Sequence, residues 1–589
     1  MLLPPMLVRE HNGPKWLYAS VAGIEVLSRC GDISTKAFIN AFLLRRLELE
    51  QLLPASLQVG KSVPLALILI TPRVENTMNE ELVRSMNKDK SKQTAGYITS
   101  EASAVQVYLL VRTIPQLMLS DSDSTGMVCT LDPEQRGPVN ILPGLEMDGG
   151  FASALFKGLE DNGTYRDINF TSERIGSILG DRVPPLPSWF KTGFLSLYQQ
   201  INWTDSEKIM VNPVFWVSNA LTRQILRNAN FTGSMEEPMK SNDGSGPYAS
   251  TSGIGPGRAE DTGLAFLPMQ QLFAGPLGGA TPLTPEETTL WNSQVSLFLH
   301  WAFADQKRRA ALWKFVDLSS RQPVTEDLIR QCFGMGSASL AQSLKVYLPD
   351  AMRSQLTLID VNALNIPAFE LKDATEVDVA RIKGDMGRRE IMYVKDRYPI
   401  GVAKYVEQVG AVLNGPSDDG ENAPALLAVR GLYNCDIGKY EEARPLLEAA
   451  AAAHVARPTL YLELAKIRYK DALAQPTGTD GKLGPDQVAQ IIRLLRESRL
   501  YAPAQVETYA LAINTWNQSA ILPSRENLGL LNEGVEFFPT SFDLISGAAK
   551  LYVQCGLRPE AIQLIDRGIQ CADPNSTAWS RLMAFRTQL

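Results

Sequence analysis

The spacing of apolar residues over the first 145 positions predicts strands and one long helix. Between positions 35 and 53 the apolar residues recur at helical spacing, with charged residues between them. Five other apolar runs have the length of buried strands: 23–30, 64–70, 104–111, 127–131 and 139–142. Strands that alternate with a helix are typical of an α/β region.

From about position 149 the pattern becomes helical. A proline-rich stretch ends at Pro187, and the run 188–200 that follows predicts a helix with Ser188 as its N-cap. The segment 233–262 is dense in Gly, Pro, Ser, Asn and Asp, which predicts a long mobile loop. Four further amphipathic helices are predicted: 291–303, 308–318, 325–333 and 339–348.

The last region, about 375–589, resembles a tetratricopeptide repeat array. Its best unit, 424–455, has small or apolar residues where such a repeat needs them: Gly431, Gly438, Tyr440, Ala443, Leu447 and Ala450. A second unit begins 118 residues later, with Gly556, Ala561, Ile565 and Gly568 at the matching offsets. Weaker units are predicted near 495–503 and 531–539. Helical hairpins without tetratricopeptide geometry are the alternative.

Composition and charge exclude several classes of protein. The 589 residues are 45% hydrophobic and 21% charged, values typical of a globular protein with about three or more domains. The net charge of −7 argues against a general nucleic-acid binder. Only three histidines occur, and no two of the six cysteines have C-x-x-C spacing, so no zinc knuckle is predicted.

The N-terminus as written lacks the features of a signal peptide, and the longest apolar run, 65–70, is far too short to span a membrane. We therefore expect a soluble protein. It would be cytoplasmic as written, or periplasmic or exported if an N-terminal signal has been removed or missed.

One acidic segment imitates a calcium-binding loop. Asp121, Asp123 and Thr125 place oxygen atoms at loop positions 1, 3 and 5, Gly126 follows at position 6, and Asp132 stands at position 12. A calcium loop of this type lies between two helices, whereas both flanks here are predicted as strands. We therefore predict a plain β-turn over 120–126.

Several segments together resemble bacterial peptidase MA-like gluzincin proteins that carry C-terminal tetratricopeptide repeats. The segment 186–198 resembles the family's L-P-x-W-L-x-E-G-L-A-E-Y, and 296–303 resembles its S-W-A-L-V-H-F-L helix. The order of the remaining motifs also agrees: Glu25-Val-Leu-Ser28, Cys332-Phe-Gly334 and Tyr347-Leu348. The resemblance implies an α+β zincin-like N-terminal and central region, formed by 1–145 and 146–350, followed by an all-α repeat array at 375–589.

The zinc site of that family is missing from this chain. No histidine occurs between His11 and His300, so the H-E-x-x-H motif with its two ligands and its general base is absent. The position of the third ligand, a glutamate in the family, is Thr192. No substitute is evident between 142 and 180. The resemblance thus implies an inactive relative with no catalytic residue, cofactor or metal, in which His300 is a buried, hydrogen-bonded core residue.

Binding of a protein or peptide partner is the function that remains for such a chain. We expect it to bind at the former substrate cleft near 189–198 or on the concave face of the repeats. One alternative is an enzyme of zinc-independent chemistry in the same cleft, for which the nearby acids are Asp148, Glu160, Asp161, Asp167 and Glu173. A structural subunit of a larger assembly is the other.

Overall fold

The structure is a computed structural model. It describes residues 15–54, 56–57, 65–70, 116–130, 156–157, 169–170, 172–180, 182–202, 208–216, 266–276, 282–360, 365–397, 402–416, 420–572 and 576–588. The predicted strands 104–111 and 139–142, the predicted loop 233–262 and the acids Asp148, Glu160, Asp161 and Asp167 lie outside these residues. We call the described part of 15–373 the body and that of 376–588 the array.

A six-stranded mixed sheet forms the first part of the body. Its strands in chain order are β1 (Leu17–Val21), β2 (Ile24–Ser28), β3 (Leu65–Ile70), β4 (Gln116–Ser120), β5 (Thr125–Thr130) and β11 (Lys372–Asp373). The spatial order is β11-β1-β2-β3-β5-β4, in which β2, β3 and β5 are parallel and the other pairings are antiparallel. The strands predicted at 23–30, 64–70 and 127–131 are confirmed as β2, β3 and β5, whereas β4 was not predicted.

Both faces of this sheet are covered by helices, which explains why its central strands are apolar throughout. Helix α1 (Asp32–Leu52) packs Phe38 and Phe42 into one core with Val26, Leu67 and Met127. The alternate strand residues Leu27, Ile68 and Val128 point to the opposite face. There they meet Ile382 and Met386 of the helix Glu376–Arg397, the first of the array. The array therefore contributes part of the core of the body.

The rest of the body is mainly helical and shares the core of α1. Its helices are α2 (Ser172–Gly180), α3 (Ser188–Gln199), α4 (Met269–Ala274), α5 (Pro285–Phe303), α6 (Gln306–Ser319), α7 (Glu326–Phe333) and α8 (Ser337–Ala351). A small sheet joins β8 (Ile201–Asn202), β9 (Lys208–Val211) and β10 (Leu356–Asp360), and β6 (Phe156–Lys157) pairs with β7 (Asn169–Phe170). All five helices predicted between 188 and 348 are present. Ser188 is the first residue of α3 and not its cap, because Pro187 has the N-cap position and makes no side-chain cap.

Helical hairpins form the whole described part of the array. In chain order they are α9 (Glu376–Arg397), α10 (Val402–Asn414), α11 (Ala423–Asp436), α12 (Tyr440–Ala452), α13 (Pro458–Ala474), α14 (Pro485–Ser498), α15 (Val506–Asn517), α16 (Arg525–Phe537), α17 (Phe542–Gln554), α18 (Arg558–Cys571) and α19 (Thr577–Gln588). The odd-numbered helices α9 to α19 pack side by side in one row, and each even-numbered helix packs against its predecessor. This arrangement is tetratricopeptide-like.

The two best predicted units have the packing that their small residues indicate. A Cβ atom at Gly431 would lie 2.5 Å from the Leu447 side chain, and one at Gly568 would lie 2.7 Å from Ile545, so glycine lets each helix pair approach closely. Gly438 and Gly556 both turn the chain between helices with positive φ, 80° and 76°. Tyr440 differs from the expectation of an apolar packing position, because it is exposed at the first turn of α12.

Candidate functional site

The turn between β4 and β5 fastens the body to the array. Its four residues, 121–124, form an Asx-type turn in which Asp121 Oδ1 accepts hydrogen bonds from the Ser124 amide at 2.9 Å and the Ser124 hydroxyl at 3.0 Å. The β-turn predicted over 120–126 is confirmed, since strands and not helices flank it. Its carboxylates face the array rather than solvent.

Helix α9 supplies two arginines to this turn. Arg388 forms ion pairs with Asp121, with Asp385 at 3.2 Å and with Asp436 of α11 at 2.9 Å. Arg389 lies 2.5 Å from Asp385 and 3.5 Å from Asp121. Glycine in β5 leaves room for this close approach, because a Cβ at Gly126 would lie 2.6 Å from Arg389 Nη1 and would displace that side chain.

The beginning of α13 supplies the third arginine. Arg457 donates to both oxygens of Asp123 at 3.2 Å and lies 3.0 Å from Asp385. The Thr459 amide, in the first turn of α13, donates to Asp123 Oδ2 at 3.0 Å. Gln505, just before α15, donates to the hydroxyl of Ser122 at 3.1 Å. Contacts from α9, from the start of α13 and from the residue before α15 thus converge on one turn of the body, and α11 is linked to it through Arg388.

We call the seven charged residues of this contact the junction cluster: Asp121, Asp123, Asp385, Arg388, Arg389, Asp436 and Arg457. Burial would raise the pKa of Asp121 and Asp385, but the surrounding guanidinium charges outweigh it and hold both pKa values well below their usual range. Burial raises the pKa of Asp436, which has Arg388 beside it. The buried charges pair with one another, and their ion pairs join residues of the body to residues of the array.

The array also carries an open groove that nothing in the described chain fills. It lies between α12 and α14, has α13 as its floor and has a volume of about 890 Å³. Alanines form the facing walls, with Ala451 and Ala452 on α12 and Ala489 on α14. Their short side chains cannot meet across the gap, and the buried side chains of Tyr461 and Leu464 form the floor. We call this the α12–α14 groove.

Charged side chains line the rim of the α12–α14 groove and have both signs. Glu448 of α12 pairs with Arg468 of α13. On α14, Arg493 and Glu497 stand one turn apart, and neither has an ion-pair partner within the described chain. An apolar floor with charged groups of both signs at its rim is suited to a segment of another polypeptide.

The second predicted binding surface, near 189–198, has a different character. The large side chains of α3, among them Trp189, Phe190 and Phe194, are fully buried against α5 and α6. A Cβ at Gly193 would lie 2.5 Å from Leu299, so α3 and α5 are in close contact. Thr192, which the resemblance places where those peptidases have their third zinc ligand, is half-buried. This segment therefore contributes core packing.

His300 is a buried, hydrogen-bonded core residue, as predicted. Its Nδ1 lies 2.9 Å from the Tyr347 hydroxyl, and burial lowers the pKa of its imidazole to about 4. Within the described residues, no group of three or more His, Cys, Asp or Glu side chains could hold a metal ion. Of the candidate acids, only Glu173 falls in a described element, helix α2. In the same part of the chain, no helix is long and apolar enough to cross a membrane.

Sequence reasoning missed the junction cluster. Asp121 and Asp123 occur in a turn of polar residues, which indicates solvated charges, and their partner Arg457 is more than 300 residues away. The only local signal is that the long helix α9 has charged residues in consecutive turns on one face: Arg381, Asp385, Arg388 and Arg389. Which carboxylates they meet depends on the tertiary structure.

No family model and no curated protein matches the chain. Among solved structures, YrrB, described as a TPR protein with an unusual peptide-binding site, is 14% identical over 34% of this chain and 90% of its own, with a TM-score of 0.24. Yeast Tom70 is 12% identical over 52% of this chain and 60% of its own, also with a TM-score of 0.24. At this TM-score neither likeness bears on the function of the chain.

Proposed function

We propose that this protein is a non-catalytic scaffold that binds a segment of a partner protein in the α12–α14 groove. The observation that carries the proposal is an open channel of about 890 Å³ with an apolar floor and unpaired charges of both signs at its rim. The groove is formed by three helices and is already open without a partner, so less ordering is required on binding. Use of the concave face of the repeats stays a prediction.

The inactive-peptidase origin of the body is part of the same proposal. Four of the segments that carry the resemblance pack together in one core, which supports it: α3, α5, Phe333 of α7 and Tyr347 of α8. The division into 1–145, 146–350 and 375–589 is also proposed. The largest core of the body and the largest core of the array are separate, which supports the last boundary, although the first helix of the array shares a smaller core with the sheet.

The test of the groove is partner capture with the full-length chain and two tryptophan variants. Ala489→Trp places an indole in the groove from an exposed position, so folding should be unaffected. Ala403→Trp makes the same change at an exposed alanine of α10, outside the groove. In quantitative mass spectrometry, we expect Ala489→Trp to capture at least tenfold less partner than the wild type, and Ala403→Trp to capture as much as the wild type. Equal capture by both variants would exclude the groove.

The loss of the zinc site has a separate test in the zinc content of the purified protein. After equilibration with zinc and removal of the excess, plasma mass spectrometry should find less than about a tenth of an equivalent, because the sequence lacks the H-E-x-x-H ligands. One tightly held equivalent would reveal another ligand set and would contradict the proposal.

A further inference from the structure

A second cavity lies where the body meets the array, apart from the junction cluster. Its volume is about 360 Å³, within the range of sites for small organic molecules. The body contributes Leu57, Pro184 and Trp313 to its walls, and the array contributes Pro503 and Phe537. Most of the lining residues are apolar, and the others present polar or charged groups to the same cavity.

The charges around this cavity are mostly positive. Three arginines line it, Arg182, Arg321 and Arg499, against a single carboxylate, Asp317. Arg321 pairs with Asp317 at 3.4 Å, and both side chains are largely exposed. Arg499 pairs with Glu533 at 3.4 Å, also near the surface. Such ion pairs are weak, and each guanidinium has five N–H donors, so both arginines retain donors for a further anion.

We propose that this cavity binds a small carboxylic acid with an apolar body. The apolar part fits between Trp313 and Phe537, and the carboxylate accepts hydrogen bonds from Arg321 and Arg499. The walls come from both the body and the array, so a bound acid also strengthens their contact. A free organic acid and the C-terminal residue of a polypeptide offer the same chemistry.

The test is isothermal titration calorimetry of the full chain with 4-phenylbutyrate, and with 4-phenyl-1-butanol as its uncharged counterpart. We expect one equivalent of 4-phenylbutyrate to bind, and the alcohol to bind at least tenfold more weakly because it cannot pair with a guanidinium. No binding at millimolar concentration, or equal affinity for acid and alcohol, would overturn the proposal.

Two variants place the binding in this cavity. The double substitution R321Q/R499Q removes the charges, and Leu500→Asp adds a repelling carboxylate at an exposed side chain of the rim. Each should weaken 4-phenylbutyrate binding at least tenfold, while Arg330→Gln, at an exposed arginine of α7 outside the cavity, should leave it unchanged. Wild-type affinity in both cavity variants would show that the acid binds elsewhere and would sink the proposal.

The source of the acid follows from a second pair of probes. Acetyl-Leu-Phe with a free C-terminal carboxylate should bind more tightly than its amide in either case, since the amide lacks the charge. Affinity above that of 4-phenylbutyrate identifies a polypeptide C-terminus, and lower affinity identifies a free acid. Ala489→Trp leaves this cavity intact, so failure of the groove proposal and failure of this one are distinguishable.

Discussion

The array and the body differ in the sequence separation of the residues that contact each other. In the array each helix packs on its neighbours in sequence, as Gly431 does on Leu447. In the body, β11 at 372–373 pairs with β1 at 17–21. Local packing makes the array nearly one-dimensional, whereas the body is complete only when remote segments have met.

Helix α9 is part of the array but also packs on the body, so the two regions are not fully separate. Its apolar residues Ile382 and Met386 cover the sheet, while its charged residues Arg388 and Arg389 meet the β4–β5 turn. The array is therefore not an independent appendage. We expect it to unfold together with the body for as long as the junction cluster is intact.

The largest effect should come from Arg388→Met. This substitution removes the cation that Asp436 pairs with and one of the three guanidinium groups around Asp121 and Asp385, which should cost about 3–5 kcal/mol in the free energy of unfolding. Urea denaturation followed by tryptophan fluorescence measures it, and the single transition should separate into two.

The matched control is Arg581→Met, at an exposed arginine of α19 whose ion pair with Asp543 is 3.8 Å long. It should leave the midpoint almost unchanged. If Arg388→Met behaved like this control, the junction cluster would not couple the two regions.

The next largest effect is a pH dependence of stability caused by the buried histidine of the body. Burial lowers the pKa of His300 to about 4, so the folded protein binds fewer protons than the unfolded chain. The stability contributed by the neutral ring is complete above pH 6.5 and is lost as the pH falls through about 4. Between pH 8 and pH 4, the free energy of unfolding of the wild type should therefore fall by about 3 kcal/mol more than that of His300→Gln.

Unfolding free energies of both proteins across that pH range measure this difference. His454→Gln, at the exposed histidine of the array, is the control and should follow the wild type. A parallel pH dependence of wild type and His300→Gln would contradict the assignment.

Glu48 should show the opposite sign in the same experiment. Burial raises the pKa of this carboxyl to about 7, and the Arg45 guanidinium at 2.7 Å offsets only part of the shift. Its contribution to stability is complete below pH 4.5 and is lost as the pH rises through about 7. As the pH rises from 4.5 to 8, the free energy of unfolding of Glu48→Gln should therefore increase relative to that of the wild type. If the difference between the two proteins stayed constant over this range, the raised pKa of Glu48 would be refuted.

The smallest effect distinguishes two glycines on one helix of the array. A Cβ at Gly534 would lie 2.6 Å from the Tyr509 ring, so Gly534→Ala should cost about 1–3 kcal/mol. Gly529 on the same helix has nothing within 4 Å, and Gly529→Ala should stabilise the protein by up to about 1 kcal/mol. The thermal unfolding midpoints of the two variants are compared with that of the wild type. Equal shifts of the midpoint would show that close helix packing does not require glycine at position 534.

The sequence alone determined the elements whose signals are local. Apolar spacing located α1, β3 and the helices between 188 and 348, and small residues at fixed offsets located the hairpins α11–α12 and α17–α18. Side-chain periodicity and glycine positions follow from the geometry of one element or of two neighbours, so they are visible in a short stretch of chain.

Only the tertiary structure decided where the sites lie. The junction cluster joins Asp121 and Asp123 to arginines more than 250 residues away, and the α12–α14 groove exists because alanines on two helices face each other across a third. The acid-binding cavity likewise needs walls from both the body and the array. Each depends on distances between remote segments, and no spacing within a single segment encodes them.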